Sequence, residues 1–288
     1  ARGEVNFHGD HLSDPVLIRE DGTPIYTISS VVDDIESGMT HIIRGEDHVA
    51  NTAVQIQLIE ALDADPKKIT FAHLPLLTGK DGDTLSKRLG SLSVQSLRED
   101  GLEVMTINSY LAKLGTSDEI HAVKDMTALA GEFDITHFSR SSPKFDEDGL
   151  WALNEKQIHI LRFEDIKHRL TNYPEINEDF WKFIRENLTK MSDLGEHYPV
   201  YFGDITPRIA DEDREYIQTA HSILEGLDWN EDTWGNLTKA LKEQTGRKGK
   251  PLMMPLRLAL SAQDHGPMLK DVLMNIGREK ALNRLKTS

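Results

Sequence analysis

The chain has 288 residues, of which 38% are hydrophobic and 28% charged, a composition typical of a globular protein with material for two or three domains. It has no cysteine, which excludes a disulfide scaffold, thiolate catalysis and cysteine-ligated zinc within these residues. No apolar run is long enough to span a bilayer, so the sequence predicts no transmembrane helix.

The net charge of −15 is unevenly distributed. Residues 239–288 hold 11 Lys/Arg and four Asp/Glu, a local net charge of +7, so the rest of the chain carries −22. A protein this acidic is not expected to bind nucleic acid non-specifically, yet its basic tail can attract phosphates at short range. Charge alone leaves two interpretations open, a phosphate-binding tail and a solvated basic helix.

The first predicted elements flank a turn. Apolar residues 16–18 and 25–28 lie on either side of Asp21 and Gly22, a pair that favours a tight turn, and they predict a hairpin-like pair of strands. Residues 33–38 predict a short helix that ends at a glycine.

A strand, a helix and a second strand follow. Residues 40–44 predict a buried strand and residues 71–77 another, and Asn51 or Thr52 can cap the helix between them. This order predicts a parallel sheet, whose ligands bind at the carboxyl ends of the strands. Arg44 ends the first of these strands.

After residue 90 the pattern becomes helical. Val104, Ile107, Leu111 and Leu114 recur at helical spacing and predict one apolar helix face. Further helices are predicted at residues 179–188, 211–224 and 233–244.

Two groups of residues carry candidate chemistry. Glycines at 79, 82 and 90 bracket Ser86, Lys87 and Arg88, and such a loop can close over a polyphosphate or remain a solvent-exposed glycine loop. Arg44 can bind a carboxylate through two hydrogen bonds, with a hydroxyl from nearby Tyr26, although a lone arginine also suits a surface ion pair.

No metal site is expected. His8 and His11 have the spacing of a helical ligand pair, but Gly9 between them argues against a helix, and we interpret them as surface histidines.

Residues 22–62 and 71–94 resemble the bacterial glutamyl-tRNA synthetase family of class I, and residues 248–285 are similar to its carboxyl-terminal anticodon-binding region. The resemblance extends from about residue 2 to residue 286. It implies a partial class I nucleotide-binding, Rossmann-like parallel sheet, followed by helical stem-contact and anticodon-binding domains. The implied boundaries are residues 1–90, 91–165, 166–235 and 236–288, the last two being parts of one anticodon-binding domain.

The resemblance implies a glutamate–tRNA ligase. ATP, as its Mg²⁺ complex, and L-glutamate give glutamyl-adenylate, and the glutamyl group passes to the 3′ end of tRNA. A cytoplasmic monomer with no membrane partner and no resident metal is expected.

The resemblance also assigns residues of the catalytic region. Tyr26 and Arg44 match the glutamate-binding tyrosine and arginine, and Ser30 stands where an asparagine is common. Leu77 lies where the family contacts adenine. Ser86, Lys87 and Arg88 match the signature loop, with Lys87 as the phosphate-binding lysine.

For tRNA, Gly266, Pro267 and Leu269 match a loop that touches the anticodon. The basic tail adds Arg247, Lys248 and Lys250 as predicted phosphate contacts, next to glycines that let the backbone approach RNA.

The sequence departs from the family in three ways. The amino-terminal His-x-Gly-His-type motif is absent, Thr84 replaces the first signature lysine, and Ser30 replaces the common asparagine. We therefore expect residues 1–288 alone to be inactive. An inert tRNA-binding module and a ligase that glutamylates the glutamine tRNA remain alternatives. A glutaminyl enzyme is disfavoured, since its anticodon region consists of β-barrels.

Overall fold

The computed structural model describes residues 5–9, 12, 14–80, 82 and 93–287. The chain forms two compact units, unit 1 (Ala1–Leu153) and unit 2 (Asn154–Ser288). Each unit is described by itself below.

Unit 1 combines a small parallel sheet with helices. Its main described elements are α1 (Tyr26–Glu36), β1 (His41–Gly45), α2 (Val49–Ala61), β2 (Thr70–Leu74), α3 (Val94–Glu99), α4 (Val104–Lys113), α5 (Met126–Glu132) and α6 (Glu147–Ile160), the last of which continues into unit 2. Short 3₁₀ helices cover Glu46–His48, Pro66–Lys68 and Ile135–His137.

The regular secondary structure of unit 2 is helical in its described residues. Its helices are α7 (Phe163–Ile166), α8 (Glu178–Ile184), α9 (Leu194–Tyr201), α10 (Arg214–Gly226), α11 (Thr233–Thr245), α12 (Lys250–Ser261), α13 (Leu269–Ile276) and α14 (Arg278–Leu285). Its 3₁₀ helices are Lys167–Arg169, Arg185–Asn187, Met191–Asp193 and Asp211–Asp213.

The predicted strand–helix–strand unit is confirmed, but the predicted burial of its first strand is wrong: no residue of β1 is fully buried, and Ile43 is 51% exposed. β1 pairs with β2 in parallel, with Arg44 opposite His73, and α2 connects them. A crossover helix is the usual way to bring two parallel strands together. In the described residues the sheet has two strands, and the predicted class, a partial parallel sheet followed by helices, is correct.

The predicted hairpin at residues 16–28 forms only around its turn. Ile18 and Pro24 make an antiparallel bridge, and the amides of Arg19 and Ile25 donate to the carbonyls of Thr23 and Leu17 on either side of it. The predicted second strand is wrong, because residues from Tyr26 onward belong to α1. A four-residue apolar run does not distinguish a strand from a helix. Here α1 packs on α2 and buries Val31, a contact that the local pattern could not reveal.

The helix predicted from residue 104 forms, but its buried face is offset from the predicted one. Val104 and Leu111 are exposed, at 67% and 42%, whereas Ile107, Tyr110 and Leu114 are buried. The tyrosine accounts for the difference: its hydroxyl donates to the carbonyl of Asp146 and accepts from the amide of the same residue. That contact turns the Tyr110 side of α4 toward the core.

The core of unit 2 is a single apolar cluster built from distant helices. Trp181, Leu224, Leu241 and Leu256 are all fully buried in it. The indole Nε1 of Trp181 donates to the carbonyl of Leu161 at 2.9 Å, so its polar atom is satisfied. The helices predicted near residues 179–188, 211–224 and 233–244 are confirmed, and each supplies part of this core.

Candidate active site and nucleic-acid interface

The carboxyl end of β1 carries Arg44 and then Gly45. A Cβ on Gly45 would meet Asp47 Oδ1 and lie 3.2 Å from Leu76 Cδ2, so a larger residue there would require the exposed Asp47 side chain to shift. Arg44 itself faces α2, whose side chains accept its hydrogen bonds.

Two side chains of α2 orient the guanidinium of Arg44. Its Nη2 donates to Thr52 Oγ1 at 2.7 Å and to Gln55 Oε1 at 2.6 Å, and more weakly to the carbonyl of His48 at 3.4 Å. Thr52 and Gln55 are 8% and 1% exposed, so their geometry is held by packing. Thr52 was predicted as a helix cap, which is wrong: it lies inside α2, and its hydroxyl donates to the carbonyl of His48.

The same network reaches Ser30. Gln55 Nε2 donates to Ser30 Oγ at 2.9 Å, so Gln55 joins Ser30 and Arg44. Tyr26 lies one turn earlier on α1, half exposed, with its ring centroid 5.7 Å from that of His48. The three predicted glutamate-binding residues thus belong to one connected set.

Sequence reasoning missed Thr52 and Gln55 as site residues. The signal was available, since two polar residues three positions apart share a helix face with buried Ile59. Polar side chains on a buried face need partners, and Arg44 is theirs.

The electrostatics of this site favour an anion. Arg44 donates to uncharged acceptors on α2 and at the carbonyl of His48, and its Nε also donates to His73 Nε2 at 3.4 Å. None of these hydrogen-bond partners is a carboxylate. Burial raises the pKa of the Asp34 carboxyl, while the charge of Arg44 partly offsets that rise. A guanidinium held by neutral partners beside hydroxyl groups can bind a carboxylate.

A groove of about 190 Å³ runs along β2 and residues 135–140. Phe71, His73, Leu74 and Phe138 line it. Nε2 of His73 also lies 3.0 Å from Thr52 Oγ1. This side chain therefore connects the groove to the Arg44 network.

The segment after β2 is anchored to the start of α6. The amide of Thr78 donates to the carbonyl of Pro143, and the amide of Phe145 donates back to the carbonyl of Thr78. Lys80 Nζ lies 3.1 Å from Asp148 Oδ2. Leu77, the predicted adenine contact, is partly buried against the helical core of unit 1.

The predicted catalytic residues Ser86, Lys87 and Arg88 lie outside the described residues. Of the histidine pair, His8 is described and His11 is not. Among the residues that the structure does describe, no group of three or more His, Cys, Asp or Glu side chains could hold a metal ion.

In unit 2, Arg247 is engaged by protein groups. Its Nη1 pairs with Asp213, and its guanidinium lies over the Tyr216 ring, 4.4 Å from the centroid. Burial raises the pKa of Tyr216 to about 12, against the charge of Arg247. The predicted contact of Arg247 with RNA stays a prediction, and Asp213 competes for the same guanidinium.

Lys248 and Lys250, in contrast, are exposed. They flank Gly249, which has a φ of +60°, and Gly246 ends α11 in the left-handed conformation with a φ of +70°. Glycine is the residue that tolerates this backbone, and here it makes a compact basic turn between α11 and α12.

The predicted anticodon loop, residues 266–269, lies in the segment 263–269 between α12 and α13 and divides into buried and exposed positions. Pro267 and Leu269 are buried, and Leu269 belongs to the core of unit 2. Gly266 is exposed, and Met268 is 71% exposed. Arg257, on α12, donates to the carbonyls of His265 at 3.2 Å and Pro267 at 3.0 Å.

The family matches divide the chain at nearly the same place as the two structural units. Residues 1–152 match the family described as tRNA synthetases class I (E and Q), catalytic domain, and residues 162–288 match an anticodon binding domain. In the described residues no helix is both long and apolar enough to cross a membrane.

The chain is similar to curated ligases of other bacteria. Glutamate–tRNA ligase 2 of Gluconobacter oxydans is 50% identical over 275 residues, which are 96% of this chain and 61% of that protein. Glutamate–tRNA ligase 1 of Rhodospirillum rubrum is 47% identical over 286 residues, 99% of this chain and 63% of that protein. The chain thus spans about three-fifths of the length of these relatives.

A solved structure has a similar fold. The glutamate tRNA ligase of Elizabethkingia meningosepticum, in complex with its amino acid, superposes with a TM-score of 0.75 at 26% identity, covering 96% of this chain and 62% of that chain.

Proposed function

This chain belongs to the class I tRNA synthetases of the glutamate and glutamine (E and Q) family, and we propose that it is part of a glutamate–tRNA ligase. In this reaction the carboxylate of L-glutamate attacks the α-phosphate of ATP, delivered as its Mg²⁺ complex. Glutamyl-adenylate and pyrophosphate form, and a hydroxyl of the 3′-terminal ribose of tRNA then takes the glutamyl group with release of AMP. The proposed partners are tRNA, L-glutamate and ATP, and the proposed enzyme is a cytoplasmic monomer.

The observation that carries this proposal is the setting of Arg44. Thr52 and Gln55 hold the guanidinium through neutral acceptors, so its charge is available to a substrate carboxylate. Both N–H groups of Nη2 are directed at Thr52 and Gln55, so Nη1 is the terminal nitrogen that would donate to a substrate carboxylate. Tyr26 and Ser30 supply hydroxyl groups from α1, in the arrangement expected for an amino-acid site.

The phosphate chemistry is assigned to the segment that follows β2. Lys87 would neutralise charge that develops on the phosphates of ATP, with Ser86 and Arg88 beside it and Leu77 against adenine. The support is the family signature in residues 84–88, together with a chain path that leaves the carboxyl end of a parallel strand, where such sheets bind ligands.

Binding of tRNA is assigned to unit 2. Lys248 and Lys250 are exposed on a turn whose glycines allow close approach to a phosphate, and neighbouring Arg247 is partly buried and paired with Asp213. Gly266, Pro267 and Leu269 would present the 263–269 loop to the anticodon. Base contacts would then come from the exposed backbone of Gly266 and from neighbouring side chains, because the side chain of Leu269 is buried.

The test uses the full-length gene product with purified glutamate and glutamine tRNAs. We expect glutamate- and tRNA-dependent ATP–pyrophosphate exchange, and Lys87→Ala should lower kcat by about 10²- to 10³-fold, as loss of one transition-state charge contact does. Charging of the glutamine tRNA would identify the alternative substrate. Absence of exchange with every tRNA would contradict the proposal.

Residues 1–288 alone provide the matching control. We expect them to bind tRNA without catalysing exchange, because the described sheet has two strands, fewer than the doubly wound sheets that bind nucleotides. Exchange above background by this stretch would contradict the expected inactivity.

A further inference from the structure

The 263–269 loop rests on a buried histidine. His197, on α9, is 7% exposed, and its Cε1 lies 3.7 Å from the position that a Cβ on Gly266 would occupy. Its Nδ1 is buried and has no hydrogen-bond partner among the described residues. A buried ring nitrogen without a partner is tolerated when the ring is neutral and is penalised when it must carry charge.

The loop is held on two sides around this ring. Gln263 Nε2 donates to the carbonyl of Glu196, the residue before His197, at 3.0 Å. From the other side Arg257 donates to the carbonyls of His265 and Pro267. Gly266 between them has a φ of +109°, a backbone that other residues rarely adopt. The loop conformation therefore depends on the hydrogen bonds that Gln263 and Arg257 make.

The charges around His197 oppose one another. Burial is the main cause that lowers the pKa of this imidazole, and the positive form of His265 lowers it further. Asp193, the carbonyl of Asn187 and Glu196 act in the opposite direction. Asp271 of α13, which also packs against α9, acts on Tyr201, whose pKa burial raises.

We propose that His197 supports the 263–269 loop only as a neutral ring, and that protonation of this ring releases the loop. Above the ordinary histidine pKa of about 6.5 the ring is neutral whether the loop is closed or open. Below it, the open form takes up a proton more readily than the closed form. Loop closure is therefore complete at neutral pH and is lost as the pH falls from about 6.5 toward the lowered pKa of the closed form.

The inference also bears on RNA binding, a consequence that rests on the proposed function. If the loop contacts the anticodon, acidification weakens tRNA binding through His197 in addition to any general effect of charge. His197 is then a positioning residue, since it acts through the loop and does not touch RNA.

The first experiment measures amide hydrogen exchange of residues 263–269 in the 288-residue protein between pH 5 and 8, corrected for intrinsic exchange. We expect the wild-type loop to lose protection progressively below about pH 6.5, by at most about tenfold for each pH unit, the limit for uptake of one proton. His197→Phe, which keeps an aromatic ring but cannot titrate, should show protection independent of pH. His265→Ala should show a smaller loss of protection with the same onset, because removing a repulsive charge brings the pKa of His197 in the closed form nearer to that of the open form.

A pH-dependent loss of protection in His197→Phe equal to that of the wild type would overturn the inference, as would a wild-type loop that shows none. The wild-type protein supplies a second measurement should the variant fail to fold. NMR of ring-labelled histidine gives the titration midpoint of His197, which should coincide with the loop transition. Different midpoints would also overturn the inference.

The second experiment measures tRNA affinity at constant salt and at pH 5.5 and 7.5. The wild type should lose several-fold more affinity than His197→Phe. If hydrogen exchange shows the expected pH dependence but tRNA does not bind at either pH, the role of His197 in holding the loop is supported. The proposal that this surface binds RNA is then contradicted. If tRNA binds and both proteins lose affinity equally, the link between His197 and RNA binding is overturned.

Discussion

Arg44 in unit 1 and Arg247 in unit 2 are both held by hydrogen bonds, but to opposite kinds of partner. Arg44 donates to a threonine hydroxyl, a glutamine carbonyl and a backbone carbonyl. Arg247 pairs with the carboxylate of Asp213, whose side chain is 19% exposed, and stacks on Tyr216. One guanidinium is oriented and still available, whereas the other is already neutralised.

This difference separates two roles that look identical in a list of basic residues. Neutral acceptors fix the geometry of a cation without cancelling its charge, and such a cation suits an anionic ligand. A partly buried carboxylate makes the cation part of the folded structure, and its loss leaves the carboxylate unpaired. Variants at the two positions should therefore fail in different assays.

The largest effect is expected at Arg44. In the full-length gene product, Arg44→Ala should lower kcat/KM for glutamate by about 10²- to 10³-fold, since hydrogen bonds to a charged group contribute roughly 1.5–3 kcal/mol each. Arg44→Lys should lower kcat/KM for glutamate by nearly as much, because an ammonium cannot reproduce the planar hydrogen-bonding geometry of a guanidinium. ATP–pyrophosphate exchange measures both, with Arg98→Ala on exposed α3 as the control. A KM for glutamate within twofold of wild type would exclude Arg44 from the site.

Removal of Arg247 should act on folding. Arg247→Ala should lower the free energy of unfolding by about 1–3 kcal/mol, because Asp213 is left without its charge partner. Denaturant titration of residues 1–288 measures this, with the exposed Lys242→Ala as the matched control. A normal unfolding free energy combined with weaker tRNA binding would reverse the assignment and make Arg247 an RNA contact.

The exposed lysines should show the opposite pattern. Lys248→Glu combined with Lys250→Glu should leave the unfolding free energy near that of wild type. tRNA binding should weaken, and its salt dependence should flatten by roughly 0.7–0.9 for each lost phosphate contact. A filter-binding titration over a range of salt concentrations tests this. Unaltered affinity and slope would show that this basic turn does not face RNA.

The smallest effect concerns another cation with carboxylate partners, His137 in unit 1. Nδ1 of His137 contacts both carboxylate oxygens of Asp118 at 2.9 Å, and this contact, followed by the charge of Asp118, raises the pKa of the imidazole. The stabilisation is present below the unfolded pKa of about 6.5 and is lost as the pH rises through the raised pKa. His137→Gln should remove that component from the pH profile of unfolding. An unchanged profile would mean that solvent screens this exposed pair completely.

Much of the fold could be predicted from local patterns. The spacing of apolar residues in β1, α2 and β2 indicated a parallel unit, and that of α10 and α11 indicated helices, because each pattern reports burial within a single element. The apolar run at residues 25–28 was wrongly predicted as a strand, because four residues are too few to distinguish helical from strand periodicity. Packing of α1 on α2 decided its conformation.

For the candidate site, the residue types and spacings in the sequence were enough to single out Arg44, Tyr26 and the basic turn, because that chemistry is carried by side-chain identity. Only the tertiary structure showed that Gln55 joins Ser30 to Arg44. The same structure showed that Arg247 pairs with Asp213, which lies 34 positions earlier in the chain. It also showed that Leu269 is part of the core. The physical reason is that the partner and the burial of a polar or charged group are set by contacts between elements distant in the chain, which no local period encodes.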